Sequence, residues 1–408
     1  LSISDAPDVP EPRLLQPEVQ EFIRAHTSSD VHELSLKQPP LLFGIAFPLI
    51  AKQIAGRQQI RLKLPLYYTT QGILYASREN LEQCSSERAA RYKAEQAAAL
   101  SGLARHRCVD LTGGFGVDTY FLSRHYTEVH YVEQNRQLLQ IARHNHRQLG
   151  ATNIVYHEAD ALTFLEKTSL TFDLAYLDPS RRTDNNKRKI ELTAYSPDIR
   201  TIIPILGKTF TRMMVKVSPM LDIDRGLQVI PNVAQVHVVA VGGEVREMLF
   251  FSEAGHNAEP LLETVDLSSG RQPFSFYRSQ ERVAPVQFGA LQKYVYEPAP
   301  EILKAGGFRL VASRFGVIKL HVNTHLYTSE KLVEDFPGRT YEIIATASRF
   351  PDLAEFFPER MANIVVRNHP RAPDGLRAEL RLREGGERYL LAFTAPDGPM
   401  LAAARRLS

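Results

Sequence analysis

Residues 107–118 read RCVDLTGGFGVD: a short apolar strand, an acid where it ends, and a turn with glycines at 113, 114 and 116. Glycine permits positive backbone dihedrals and lets a ligand approach bare backbone. A helix is expected from about Asp118 to Arg124. The turn therefore sits at the carboxyl edge of a parallel strand, where open α/β sheets bind ligands. Gly114 and Gly116 are the expected contacts. Taken alone, the turn is equally well explained as a tight strand-to-helix connection.

The next segment, EVHYVEQNRQLLQIARHNHRQLG, supplies a second acid. Val129 to Val132 form a strand, and Asn135 can cap a helix carrying Leu138, Leu139, Ala142 and Leu149, closed by Gly150. Glu133 then also lies at a strand's carboxyl end, placed to accept hydrogen bonds from ribose hydroxyls. A dinucleotide enzyme would need the same acid. However, the turn continues Gly114-Phe115-Gly116-Val117-Asp118-Thr119, and the third glycine of the dinucleotide fingerprint is missing.

Two further strands follow. Ile154 to Tyr156 lead into Glu158-Ala159-Asp160-Ala161-Leu162, where an acid can accept from an adenine amino group. Thr171 to Leu177 end in Asp178-Pro179-Ser180-Arg181-Arg182. Proline stops the strand and offers a carbonyl but no donor.

On these motifs, residues 107–182 resemble the Rossmann-type class I S-adenosylmethionine-dependent methyltransferases. DLTGGFG is similar to the D-x-F-C-G-x-G form of nucleic-acid amino-methyltransferases and trimethylguanosine synthases. LEQCSSERAARYKA before the fold, DPSRR within it and YEPAPEILKAGGF after it resemble bacterial members with a THUMP-like carboxyl-terminal domain, a likeness covering most of residues 80–405. The resemblance implies S-adenosylmethionine as cofactor. It is held at its methionine end by Asp110, Gly114 and Gly116, with Thr112 and Gly113 in the same turn. Glu133 serves the ribose, and Asp160, followed by Ala161, serves the adenine.

Asp178 and Pro179 match the first half of the amino-methyltransferase signature D-P-P-[YFW]. In that signature the acid and a backbone carbonyl bind an exocyclic amine and direct its lone pair at the methyl, while the aromatic stacks on the base. Here Ser180 replaces the second proline and Arg181 the aromatic. An arginine plane can stack on a base or hold a phosphate. Arg181 therefore joins Asp178 and Pro179 as a catalytic candidate, and a solvated basic loop is the plain alternative. RNA is the expected partner. A protein side chain or small molecule as acceptor, or a non-catalytic cofactor pocket in an RNA-binding protein, stays open.

Methyl transfer requires no metal, and His125, His130, His144 and His146 are scattered without ligand spacing, so none is assigned a role. With 408 residues, two to four domains are expected. Forty-nine Lys and Arg against 46 Asp and Glu leave +3, so a nucleic-acid surface must be local. The two cysteines, Cys84 and Cys108, make no disulfide framework. The longest apolar run, LLFGIAFPLIA at 41–51, is too short for a membrane span, and LSISDAPDVPEPR has no signal-peptide pattern. A cytoplasmic enzyme is expected.

The expected fold is α/β: a mainly helical region at 1–97 and a seven-stranded Rossmann-like core at 98–255, followed by a small ferredoxin-like domain at 275–330 and a THUMP-like domain at 336–405. Within the first region, 58–79 reads as extended because IRLKLPLYY alternates. Ser85 or Ser86 caps a helix running to about Leu100, and on it Lys93 or Arg91 faces either the cofactor carboxylate or, more simply, solvent. Strands five to seven fall at 213–219, 235–241 and 248–251, the seventh between the fifth and sixth as the resemblance implies, with the core closing near 252. Beyond it, 340–405 reads strand, helix, strand, helix, strand, strand. Arg367, His369, Arg371, Arg377, Arg381 and Arg383 cluster there, a charge run that can track phosphates or form a solvated face.

Overall fold

Short helices fill the first hundred residues of the computed structural model, which describes residues 11–102, 105–181 and 195–407. They are α1 (Pro17–Ala25), α2 (Val31–Lys37), α3 (Phe47–Ile60), α4 (Pro65–Thr69), α5 (Arg78–Gln83) and α6 (Glu87–Ser101). Three of them, α1, α3 and α4, start with proline in the first turn, where the missing N–H costs nothing. In α3, Ile50 and Ile54 lie one turn apart and are fully buried. A Cβ at Gly56 on the same helix would stand 2.4 Å from the Tyr75 Cβ, so only glycine allows that approach.

The extended reading of 58–79 is corrected by α3 and α4. The alternation is too short to decide a strand: Leu62 is 90% exposed, Leu64 and Tyr67 are buried, and Pro65 opens a helix instead of interrupting a strand. Ser86 caps α6 as expected, its side chain accepting from the Ala89 N–H.

The main sheet has nine strands: β1 (Arg107–Asp110), β2 (Glu128–Glu133), β3 (Ile154–Glu158), β4 (Phe172–Leu177), β5 (Phe210–Val217), β6 (Val233–Val241), β7 (Glu244–Glu253), β8 (Leu261–Asp266) and β9 (Phe274–Phe276). Their order is β9-β8-β6-β7-β5-β4-β1-β2-β3, which puts β7 between β5 and β6. Strands β3, β2, β1, β4 and β5 are parallel, with Asp110 opposite both Tyr131 and Tyr176, and Leu177 opposite Val215. This register brings Asp110, Glu133, Asp178 and Lys216 to neighbouring strand ends at one edge. Between the strands run α7 (Val117–Ser123), α8 (Arg136–Gln148), α9 (Ala161–Lys167) and α10 (Ile199–Thr209).

The sheet does not close near residue 252. Strand β8 pairs parallel with β6, and β9 pairs antiparallel with β8, burying Leu262, Phe274 and Phe276. The polar stretch SSGRQP at 268–273 lies in the loop joining β8 to β9.

A second sheet holds β10 (Tyr294–Pro298), β11 (Ile318–Lys319), β12 (Tyr327–Ser329), β13 (Gly338–Ala347), β14 (Asn363–Arg367), β15 (Arg388–Ala395) and β16 (Gly398–Arg406), in the order β11-β12-β10-β13-β16-β15-β14. Strands from both expected carboxyl-terminal modules share it, because β10 pairs directly with β13, Val295 opposite Tyr341. Side-chain alternation along β15 feeds two cores: Leu390 and Ala392 pack with Phe350, Leu353 and Leu376, whereas Leu391 and Phe393 pack with Val295, Leu320 and Tyr341. Among the described residues no helix is long and apolar enough to cross a membrane.

Candidate active site

The glycine turn is held by backbone bonds on both sides. The Leu111 N–H donates to the Tyr176 carbonyl at 3.0 Å, and the Gly113 N–H donates to the Val132 carbonyl at 2.9 Å. The three glycines serve different ends. A Cβ on Gly113 would lie 2.3 Å from the Tyr131 ring, and one on Gly116, at φ +86°, would lie 2.6 Å from His146 Nε2. Gly114 also has positive φ, +56°, but a Cβ there would meet only the Thr112 carbonyl oxygen, at 3.7 Å. Of the two glycines expected to contact a ligand, Gly114 therefore has the open side, whereas the side of Gly116 is occupied by protein.

His146 explains the tightness at Gly116. Its Nε2 stands 2.8 Å from the Gly116 carbonyl, which can only accept, so that nitrogen carries the proton and Nδ1 takes the bond from the Tyr156 hydroxyl at 3.0 Å. Burial pushes the imidazole down to about 4, keeping it neutral. This histidine is a structural support for the turn.

Asp110, 1% exposed, ends β1. One oxygen accepts from the Thr112 N–H at 3.0 Å and the other from the Thr119 hydroxyl at 2.6 Å. Burial pushes its carboxyl up to about 7; the hydrogen bond from Thr119 opposes the rise, and the nearby Asp118 and Asp178 add to it. A cation bound at this edge would relieve that unfavourable charge.

Glu133, at the end of β2, spans the turn. It accepts from the Gly114 N–H at 3.0 Å and from the Asn135 N–H at 2.7 Å. Each oxygen keeps a lone pair for a further donor such as a ribose hydroxyl. Asp160 has a local role: it caps α9, accepting from the Thr163 N–H at 3.0 Å and the Thr163 hydroxyl at 2.5 Å, and these bonds lower its pKa. Its neighbour Ala161 is buried at the first position of the same helix.

Asp178 follows β4. Its N–H donates to the Thr112 hydroxyl oxygen at 2.7 Å, and its Oδ2 accepts from the Lys216 ammonium at 2.5 Å. Pro179 is buried. Ser180 and Arg181 form a two-residue antiparallel pairing with Tyr195 and Ser196. Arg182 and the basic loop after it lie outside the described residues.

A network that sequence reading missed adjoins these groups. Lys93, on α6, is 1% exposed, and its ammonium stands 2.8 Å from Asp118 on α7. It donates to Ser85 at 2.5 Å and to the Tyr176 hydroxyl at 3.1 Å, and both of those hydroxyls donate to Asp118 Oδ2, at 2.7 and 3.0 Å. Burial opposes the charge on Asp118, yet Lys93, Lys216 and these bonds outweigh it and hold its pKa below the ordinary value. The signal was present in the spacing Ala89, Lys93, Ala97, which puts the lysine on the buried face of its helix.

The basic cluster of the second sheet is largely paired. Arg367 bonds Glu297, Arg371 lies 2.6 Å from Glu379, and Arg377 lies 2.9 Å from Asp374 and 3.5 Å from Glu384. Arg383 donates to the Glu359 carbonyl. Among the described residues no group of three or more His, Cys, Asp or Glu is placed to hold a metal. The open side of Gly114, the ribose-ready Glu133 and the buried Asp110 do fit a cationic nucleoside.

The chain is similar to known proteins in part or over nearly all of its length. A family model described as conserved hypothetical protein 95 matches residues 85–197, and one for a ferredoxin-like domain matches 294–337. The crystal structure of a "putative methyltransferase" from Porphyromonas gingivalis W83 is similar over 98% of this chain and 99% of its own, at 29% identity and a TM-score of 0.83. An rRNA methylase from Streptococcus thermophilus aligns with 40% of this chain and 93% of its own, at 15% identity and a TM-score of 0.31. A "putative methyltransferase" from Escherichia coli covers 41% of this chain and 86% of its own, at 20% identity and a TM-score of 0.30. No curated relative matches the chain. Over nearly its whole length the chain is similar to the Porphyromonas gingivalis protein, and it has the fold of a class I S-adenosylmethionine-dependent methyltransferase with a ferredoxin-like domain in its carboxyl-terminal part.

Proposed function

We propose that this chain methylates RNA, with an exocyclic base amine as the favoured acceptor, and that it does so in the cytoplasm. The observation that carries the reading is the 2.7 Å bond from the Asp178 N–H to Thr112, which ties the acceptor acid to the cofactor turn. The part proposed as responsible is the Rossmann-like core from residue 98, whose parallel strands β1 to β5 present these residues. S-adenosylmethionine, when bound, supplies a methyl group already activated on a sulfonium. The residues proposed to hold it are Asp110, Thr112, Gly113, Gly114 and Gly116 around the methionine end, Glu133 at the ribose, and Asp160 with Ala161 at the adenine. Asp178 and the Pro179 carbonyl orient the acceptor, and Arg181 contacts its base or phosphate. Positioning of this kind supplies most of what methyl transfer needs from a protein.

A protein side chain or small molecule is the second reading. It is favoured by Ser180 and Arg181 where the signature has proline and an aromatic, and by the ion-paired basic cluster. Transfer of tritium from methyl-labelled cofactor into total RNA, protein and metabolite fractions decides between them. Label confined to RNA supports the proposal, and label in another fraction replaces it. If calorimetry finds no saturable cofactor binding, the assigned cofactor residues are wrong.

A further inference from the structure

The group touching the acceptor acid is not part of the D-P-P signature. Lys216 lies on β5, next to β4 in the sheet, and reaches Asp178 Oδ2 at 2.5 Å. Both side chains are mostly buried, with 16% and 27% of their surfaces exposed. Among the described residues Oδ1 of Asp178 has no hydrogen bond, so one oxygen is held and the other is available. An ammonium inside a largely buried parallel strand is costly unless it is paired, and here its partner is the proposed acceptor acid.

We propose that Lys216 is a positioning residue for methyl transfer: it fixes the Asp178 carboxylate through Oδ2, so that Oδ1 faces the acceptor's N–H. The inference rests on the methyl-transfer reading above. As the nitrogen–carbon bond forms, the sulfur–carbon bond breaks and sulfur keeps its electron pair. The nitrogen is left cationic and strongly acidic, and its proton passes to Oδ1 and then to water. A carboxylate oxygen held facing the nitrogen suffices for that late proton transfer.

Other charges face this pair from several elements. Asp110 on β1 and Asp118 on α7 interact with Asp178 and Lys216 respectively, Lys93 on α6 pairs with Asp118, and Lys63 and Cys84 from the helical region sense Lys216. Lys63 donates to the Leu81 and Glu82 carbonyls, and Lys93 to Asp118 and its partners. Lys216 is the cation in contact with the acceptor acid.

The test compares wild type with Lys216→Met, Lys216→Gln and Lys216→Arg. The substrates are methyl-tritiated S-adenosylmethionine and total RNA from a strain lacking the enzyme, or the protein or metabolite fraction if that is what the wild type labels. Lys216→Met and Lys216→Gln are expected to lower kcat by roughly tenfold to a hundredfold. Cofactor affinity by calorimetry should stay within about threefold, because the lysine contacts the acceptor acid and not the cofactor turn. KM for the acceptor should rise as kcat falls, because the carboxylate loses the contact that orients it. Lys216→Arg, which keeps the charge and a donor, should restore most of kcat. An unchanged kcat in a folded Met or Gln variant overturns the proposal, as does an Arg variant no better than Gln. If the wild type itself labels no fraction, it is the methyl-transfer reading that fails.

Discussion

Asp110 has an unusual electrostatic situation for a carboxylate, and it is testable without any substrate. Its folded pKa of about 7 lies far above the roughly 3.9 of an exposed aspartate. The stability it contributes is therefore complete below about pH 4 and is lost as pH rises through about 7, because the unfolded chain releases its proton first. Asp110→Asn does not titrate. Its melting temperature relative to wild type should climb between about pH 4 and about pH 7 and then level off, and a constant difference would mean that the carboxyl is ordinary. Asp178→Ala belongs to the same scale but tests chemistry. Turnover should fall roughly a hundredfold or more while cofactor affinity changes only a few fold, since the acid addresses the acceptor. An unchanged rate would put the acceptor elsewhere. The placement of Asp110, Glu133 and Asp178 at strand ends was legible because an apolar run stops at each of them. The burial of Lys93 was legible in its helical spacing, but its partner and that of Lys216 were not, because a lysine's partner is chosen by packing between elements, which no local pattern records. Asp160 shows the reverse hazard, since the motif that suggests an adenine contact is also a helix cap.

At the scale of elements, α6, α7 and the glycine turn act together. Lys93 and Asp118 join α6 to α7 through a buried pair, and removing one partner strands the other charge. Lys93→Met should cost about 3 to 5 kcal/mol in a denaturant titration, and a loss below about 1 kcal/mol would mean that water reaches Asp118. The glycines should separate by property. Gly116→Ala combines positive φ with a Cβ only 2.6 Å from His146, so it should lose stability by about 1 to 3 kcal/mol. Gly114→Ala carries the positive-φ strain, about 1 kcal/mol, without a clash, so it should lose less stability than Gly116→Ala and more cofactor affinity. Equal effects on both properties at both sites would show that the turn has one function throughout. Elements with strong periodicity and caps, such as α6 and α8, were legible to within a residue or two. The stretch 58–79 was not, because a five-residue alternation beside a proline fits a helix start as well as a strand.

For the whole molecule, the sequence marked the parallel core but not how far each sheet runs. Strands β8 and β9 were hidden by a polar loop, and the pairing of β10 with β13 is a long-range choice made by buried faces around Val295 and Tyr341. Charge has to be read at this scale too. A net charge of +3 leaves RNA affinity to local clusters, and the cluster at 367–383 spends most of its arginines on Glu297, Glu379, Asp374 and Glu384. A phosphate can recruit such an arginine only by displacing a carboxylate, whereas Arg381, exposed at the end of its helix, has no ion pair among the described residues. Arg377→Ala combined with Arg381→Ala should therefore remove at most one phosphate contact. Measured by filter binding across a salt series, the slope of log affinity against log salt should become shallower by no more than about 0.7, the value for one contact on single-stranded RNA. A change of about 1.4 would show that Arg377 leaves its carboxylates to grip the backbone. An unchanged slope and affinity would make the cluster a solvated face, and RNA, if it is the substrate, would be held by the residues around Asp178.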